Sequence, residues 1–256
     1  MLKAQKFEFC PSPLEWRVAE DRVLAINLGR FADTITLINE ASGQYQTLIQ
    51  TLPDFVEETN SPQVIEKLML CKAHKSLLTG LHVLLRGGIP EYQAIIRNAV
   101  MFAADVVKIA EKPDRASIWM DRDAHTKEYD EAFKPAFPRG HHITGRLYDS
   151  YNLFSEAGSH SGSTQLSQSI RESPNEHVFL YIHTERVETL RCLLHLLNLF
   201  PAILLGFTYG LKQFLKKDIE NEIMSLVARI QVHLEKYRID IMPPHLKPNN
   251  TDENKV

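Results

Sequence analysis

The stretch that most restricts how this chain can fold is Thr79 to Glu111, where one apolar helical run stops at Arg86-Gly87-Gly88-Ile89-Pro90 and a second begins. A glycine at 87 or 88 can take the left-handed backbone that closes a helix C-terminus. Pro90, with no amide hydrogen to satisfy, suits the first turn of the next helix. The run that follows sorts by angle. At about 3.6 residues per turn, Tyr92, Ile95, Ile96, Ala99, Phe102, Ala103, Val106, Val107 and Ala110 share one broad face, and Arg97, Asn98, Asp105 and Lys108 share a narrow polar stripe. A helix this apolar belongs deep in a domain, so its stripe meets either water or polar partners from another segment. The ordinary expectation is a solvated face with an Arg97 to Asp105 or Asp105 to Lys108 contact. The functional alternative is a polar site at the bottom of a groove, with Asn98, Asp105 and Lys108 as binding residues.

Upstream, Leu24, Leu28, Phe31, Ile35, Ile38, Ser42, Tyr45, Ile49 and Leu52 alternate steps of four and three. This heptad seam predicts one long helix or two collinear ones over 21–51, stopped by Pro53. Its ordinary role is a helical hairpin; self-association through the 21–52 seam is the other use, beside an unknown protein partner. Residues 1–20, with Pro11 and Pro13 and no sustained period, read as an N-terminal arm. Ser61-Pro62 opens the next helix as cap and first-turn proline, with Leu70, Leu77, Leu78, Leu81, Leu84 and Leu85 inward and Lys72, Lys75 and Thr79 outward. His74 and His82 lie two turns apart, not one, so they cannot make the usual metal pair and read as helix-surface residues.

Beyond Pro113 the period breaks, and 112–140 alternates short helical turns with loop. Asp121-Arg122-Asp123-Ala124-His125 offers ligand types for a divalent cation, but helix capping near Thr126 explains it as well, and no metal or cofactor is assigned. A helix resumes over 143–157 with Ile143, Leu147, Tyr151 and Phe154 inward. A serine-rich loop, 158–175, follows Gly158. His160, at a helix C-terminus beside hydroxyls, is the histidine whose protonated form the helix dipole favours. No carboxylate stands in register with it to make a triad. The apolar run 192–211 approaches a bilayer span in length, but His195, Asn198, Pro201, Thr208 and Tyr209 favour a Pro201-kinked helix buried in protein over membrane contact. Ile219, Ile223, Leu226, Ile230, Leu234 and Tyr237 define one more amphipathic helix, and 243–256 reads as a disordered tail.

A net charge of −3 gives no whole-protein field to attract nucleic acid, so that role would need a local patch. Cys10, Cys71 and Cys192 are odd in number and free of any CxxC spacing, which suits a reducing cytoplasm. The first ten residues lack the continuous apolar region of a secretory signal. Arg86-Gly87-Gly88 lacks the spacing and the preceding strand of a phosphate-binding loop, and no nucleophile elbow occurs.

The run Leu84-Leu85-Arg86-Gly87-Gly88-Ile89-Pro90 through Arg97-Asn98-Ala99-Val100, together with the later Ser155 to His160 element, resembles uncharacterised bacterial helical proteins. Some of these are similar to abortive-infection proteins and the wider HEPN group of helical nucleases and nucleotide-binding domains. The resemblance implies a role in bacterial stress or phage defence. HEPN ribonucleases pair an arginine with a histidine a few residues further on, but after Arg97-Asn98 this chain has Phe102, Ala103 and Ala104. Catalysis would therefore need His160, with Ser155, from another helix.

Together these features predict an all-α, single-domain bundle of about seven helices, spanning 21–242 and built on antiparallel hairpins around the 63–111 pair. The expected function is a non-catalytic helical binding or regulatory module. The alternatives are a HEPN-like ribonuclease or phosphotransfer enzyme using Arg97 and His160, and a peripheral membrane protein using 192–211.

Overall fold

The computed structural model describes residues 5–6, 12–52, 61–124, 126–133, 147–148, 150–152, 170–172, 177–179, 182–183, 185–212 and 217–237. In chain order these form β1 (Gln5–Lys6), α1 (Pro13–Arg30), α2 (Ala32–Thr51), α3 (Pro62–Leu85), α4 (Ile89–Glu111), α5 (Arg115–Met120), α6 (Thr126–Phe133), β2 (Ile170–Glu172), β3 (His177–Phe179), α7 (Arg186–Gly210) and α8 (Lys217–Lys236). Residues 147–148 and 150–152 are helical as well. The fold is an all-α bundle, as the periodicity predicts.

Its centre is the α3–α4 hairpin. The Gly87 amide donates to the Leu84 carbonyl and the Gly88 amide to the Val83 carbonyl, each over 3.0 Å, the paired bonds that close a helix on a left-handed residue. Gly87 is that residue, at φ 90°, and Pro90 lies in the first turn of α4. A second constraint holds glycine there: a Cβ on Gly87 would lie 2.7 Å from the His183 carbonyl oxygen. The Asn27 amide donates to the Leu85 carbonyl over 2.9 Å, so α1 caps α3.

The second half of α4 is buried on nearly every side, from Ala103 to Ile109. Helix α7 runs parallel to it. Tyr92 Oη donates to the Cys192 carbonyl near one end, Gly206 lies against Ala103 further along, and Gly210 against Val106 at the other end. Small residues at these crossings let the two backbones approach. Helix α2 packs antiparallel to α3 and across α7, where Ser42 Oγ meets His74 Nε2 at 2.7 Å and Tyr45 Oη donates to the Phe200 carbonyl. Helix α8 closes the outer side, with Thr34 meeting His233 at 2.9 Å and Arg229 paired to Glu40.

Several expectations need correction. Helix α1 begins at Pro13, inside the predicted arm, because Ser12 and Glu15 form a reciprocal capping box. Of the two arrangements expected over 21–51, a single helix is not found: the stretch is two helices, α1 and α2, with the backbone leaving helical geometry at Phe31. Within the predicted seam, Phe31, Ile38, Ser42, Tyr45 and Leu52 are buried and Leu24, Ile35 and Ile49 pack partly buried against the core, whereas Leu28 is exposed; Thr34, Ala41 and Leu48 are buried beside the seam. The α2 part of the seam packs within the chain. His74 is buried and stacked on Tyr45 with 5.1 Å between ring centroids, not on the surface, and Leu78 is exposed.

Residues 170–172, within the predicted serine-rich loop, form a strand. It pairs antiparallel with β3, and β1 pairs parallel with β3, giving the order β1-β3-β2. Arg171 is opposite Val178 and His177 opposite Glu172.

Among the described residues, α7 is the one helix long and apolar enough to cross a membrane, and 72% of its most apolar window is buried. It contains Pro201 internally. Its exposed large apolar residue, Val187, precedes 192–211, so that run offers no exposed apolar patch among the described residues.

Candidate functional site

The polar stripe of α4 is not uniform along its length: its first half reaches solvent and its second half is buried. Arg97 is half-buried; its guanidinium donates to Tyr151 Oη over 3.1 Å and lies 5.2 Å from the centre of that ring. Asn98 is exposed. Asp105 and Lys108 are both buried and form an ion pair at 3.6 Å, one of the two contacts the sequence predicts. Neighbouring segments complete their coordination. Trp119 Nε1 of α5 donates to Asp105 Oδ2 over 3.3 Å, Lys108 Nζ donates to the Phe133 carbonyl at the end of α6 over 2.6 Å, and Arg115 donates to the Lys108 carbonyl.

Burial pushes the Asp105 carboxyl up to about 6 against the opposing pull of Lys108 and Trp119, and the same burial lowers Lys108 against Asp105. A pair this well occupied fastens α5 and α6 to α4. The other proposed catalytic residues, Ser155 and His160, lie outside the described residues. So does His125; the exposed Asp121 and Asp123 remain of its cluster, and no group of metal-ligand side chains is present among the described residues.

A different arrangement stands open at the end of the bundle. The first turns of α3, the last turn of α4 and the last turn of α7 enclose a cleft of about 610 Å³ lined by Pro62, Gln63, Glu66, Ile109, Ala110, Pro113, Tyr209, Gly210 and Lys212. Glu66 is 3% exposed, and among the described residues its carboxyl makes no hydrogen bond or ion pair. Burial alone lifts its pKa to about 8, so at neutral pH it is mostly protonated. Gly210 provides the room: a Cβ there would lie 3.3 Å from Glu66 Oε1 and 2.5 Å from Val106 Cγ1.

The three helix ends do not present equivalent backbone. At the start of α3, Pro62 has no amide hydrogen, Ser61 Oγ takes the Val64 amide, and the Ser61 carbonyl takes the Ile65 amide. Few donors remain there for an anion. At the end of α4 the following turn bonds its amides to the carbonyls of Lys108, Ile109, Lys112 and Pro113, leaving Ala110 out. Helices α4 and α7 both bring their C-terminal, partially negative ends to the cleft.

The sequence reading missed Glu66, although a signal was present. Four residues before Leu70, it continues the Leu70, Leu77, Leu81, Leu84 face inward, so a carboxylate occupies a core register.

The fold and this site thus define an all-α bundle with a buried carboxyl, without a partner among the described residues, at the mouth of a cleft. Comparison with protein-family models, curated proteins and solved structures gives no match.

Proposed function

We propose that the protein is a non-catalytic helical binding module whose ligand site is the cleft beside Glu66. The observation that carries this reading is the Glu66 carboxyl itself, buried at the wall of an open cavity with no hydrogen-bond or ion-pair partner among the described residues. Fold stability alone does not favour such a group, because a buried polar atom without a partner costs roughly 1–3 kcal/mol. A ligand that bonds to it removes that cost. The arrangement on α4 also favours binding over catalysis: Asp105 and Lys108 are engaged with each other and with Trp119 and Phe133, and Arg97 is held by Tyr151.

The test is a thermal-shift screen of a small-metabolite library against the full chain and a Gln63→Trp variant, whose indole would fill the cleft from its rim. The expected result is a set of compounds that raise the Tm of the wild type and not of the variant. Turnover of RNA or of a nucleotide that is lost on Arg97→Ala would contradict the non-catalytic reading.

A further inference from the structure

We propose that the cleft binds a small organic amine, with the ligand's ammonium group seated between the Glu66 carboxylate and the C-terminal carbonyl ends of α4 and α7. This inference rests on the cleft being the ligand site and goes on to assign the chemistry it selects. Three observations converge on a cation. The buried acidic group has no counter-charge among the described residues. The two helix ends facing it are the negative ends of their dipoles, and the Ala110 carbonyl accepts no bond from the turn that follows it. The one N-terminal helix end at the cleft, that of α3, has lost most of its anion-binding donors to Pro62 and the Ser61 cap. The rest of the wall, from Pro62, Ile109, Pro113 and Tyr209, suits the apolar body of such a molecule.

Lys212 is the other charged residue lining the cleft. It is exposed, and it makes no ion pair with Glu66. The remaining groups near Glu66 are Tyr209 on α7, Gln63 on α3, and Lys67 on α3, whose ammonium donates to the Leu52 carbonyl over 3.2 Å. None of these supplies the missing positive charge, and an incoming ammonium would. Because the Glu66 carboxyl is mostly protonated at neutral pH, seating the cation displaces its proton to solvent. Binding therefore releases close to one proton at pH 7, and affinity rises as pH is raised toward 8.

The experiment is isothermal titration calorimetry on the full chain with phenethylamine and n-butylamine, against 2-phenylethanol, n-butanol and phenylacetate. Each is run in two buffers of different ionisation enthalpy to count protons. The expected result is that the amines bind with proton release, the alcohols and phenylacetate bind at least about tenfold more weakly, and Glu66→Gln abolishes the preference. Circular dichroism of the variant checks its fold, and proton release is read on the wild type alone. Equal or tighter binding of the alcohols or of phenylacetate, lost in Gln63→Trp, would overturn the amine assignment while leaving the cleft as a site. No binding by any probe, or binding indifferent to Gln63→Trp, would overturn the assignment together with the site.

Discussion

Replacing Glu66 with glutamine should stabilise the protein at alkaline pH and have little effect at acid pH. Glutamine has the same shape and can never ionise. The Glu66 carboxyl titrates near 8 in the folded chain against an ordinary value of 4.5, so its neutral form is favoured by folding. Below pH 4.5 the folded and unfolded chains are both protonated and the group costs nothing through ionisation. Between 4.5 and about 8 the unfolded chain has released the proton and the folded chain still holds it, so wild-type stability falls as pH rises. Above about 8 the penalty stays constant. About 3.5 pH units at roughly 1.36 kcal/mol each give about 5 kcal/mol; water entering the open cleft reduces this, and about 3 kcal/mol is a realistic floor.

Asp105 contributes in the same direction between 3.8 and about 6, but it is common to both proteins and cancels in their difference. The assay is urea unfolding of both at a series of pH values from 4 to 9, compared through midpoint and slope. A stability difference that is flat with pH, or that shrinks as pH rises, would refute the reasoning.

Three further outcomes follow from the same structure. Asp105→Ala leaves the Lys108 ammonium buried without its carboxylate and should cost about 3 kcal/mol in urea unfolding; Asp105→Ala with Lys108→Met should recover most of it. Gly87→Ala combines a left-handed backbone with a 2.7 Å clash at the His183 carbonyl and should lower stability by more than about 2 kcal/mol, read from thermal unfolding. Ser12→Ala removes the capping box of α1 and should cost about 1 kcal/mol, with faster amide hydrogen exchange confined to the first turns of that helix.

The parts of the fold that were legible in the sequence are those fixed by local backbone chemistry. Gly87, Gly88 and Pro90 define the α3–α4 turn because closing one helix and opening another within a few residues leaves few backbone solutions. Ser61-Pro62 marks the start of α3 for the same reason. The Ser12 and Glu15 pair had the same standing, and was overlooked because Pro11 and Pro13 made the segment look like coil.

Side-chain burial was harder to read, since it depends on what lies opposite. In α2, Thr34 and Ala41 take core positions that their composition does not advertise, and Thr34 there meets His233 of α8. His74 was read as a surface residue although it lies on the inward register of Leu70, Leu77 and Leu81, where Ser42 and Tyr45 arrive from another helix to hold it. Arg97 stood out as a candidate, yet its partner Tyr151 lies 54 residues further along, a pairing no periodicity predicts. Glu66 was the reverse case: its register put it in the core, but no motif or partner in the sequence drew attention to it.

The most direct test of the central claim, that Glu66 is a buried carboxyl in an open cleft with its neutral form favoured by folding, is a carbon-13 NMR titration of its side-chain carboxyl, assigned by comparison with Glu66→Gln. A midpoint near 8 that falls when phenethylamine is added is the predicted result. A midpoint near the ordinary glutamate value of 4.5, unmoved by the amine, would contradict the account.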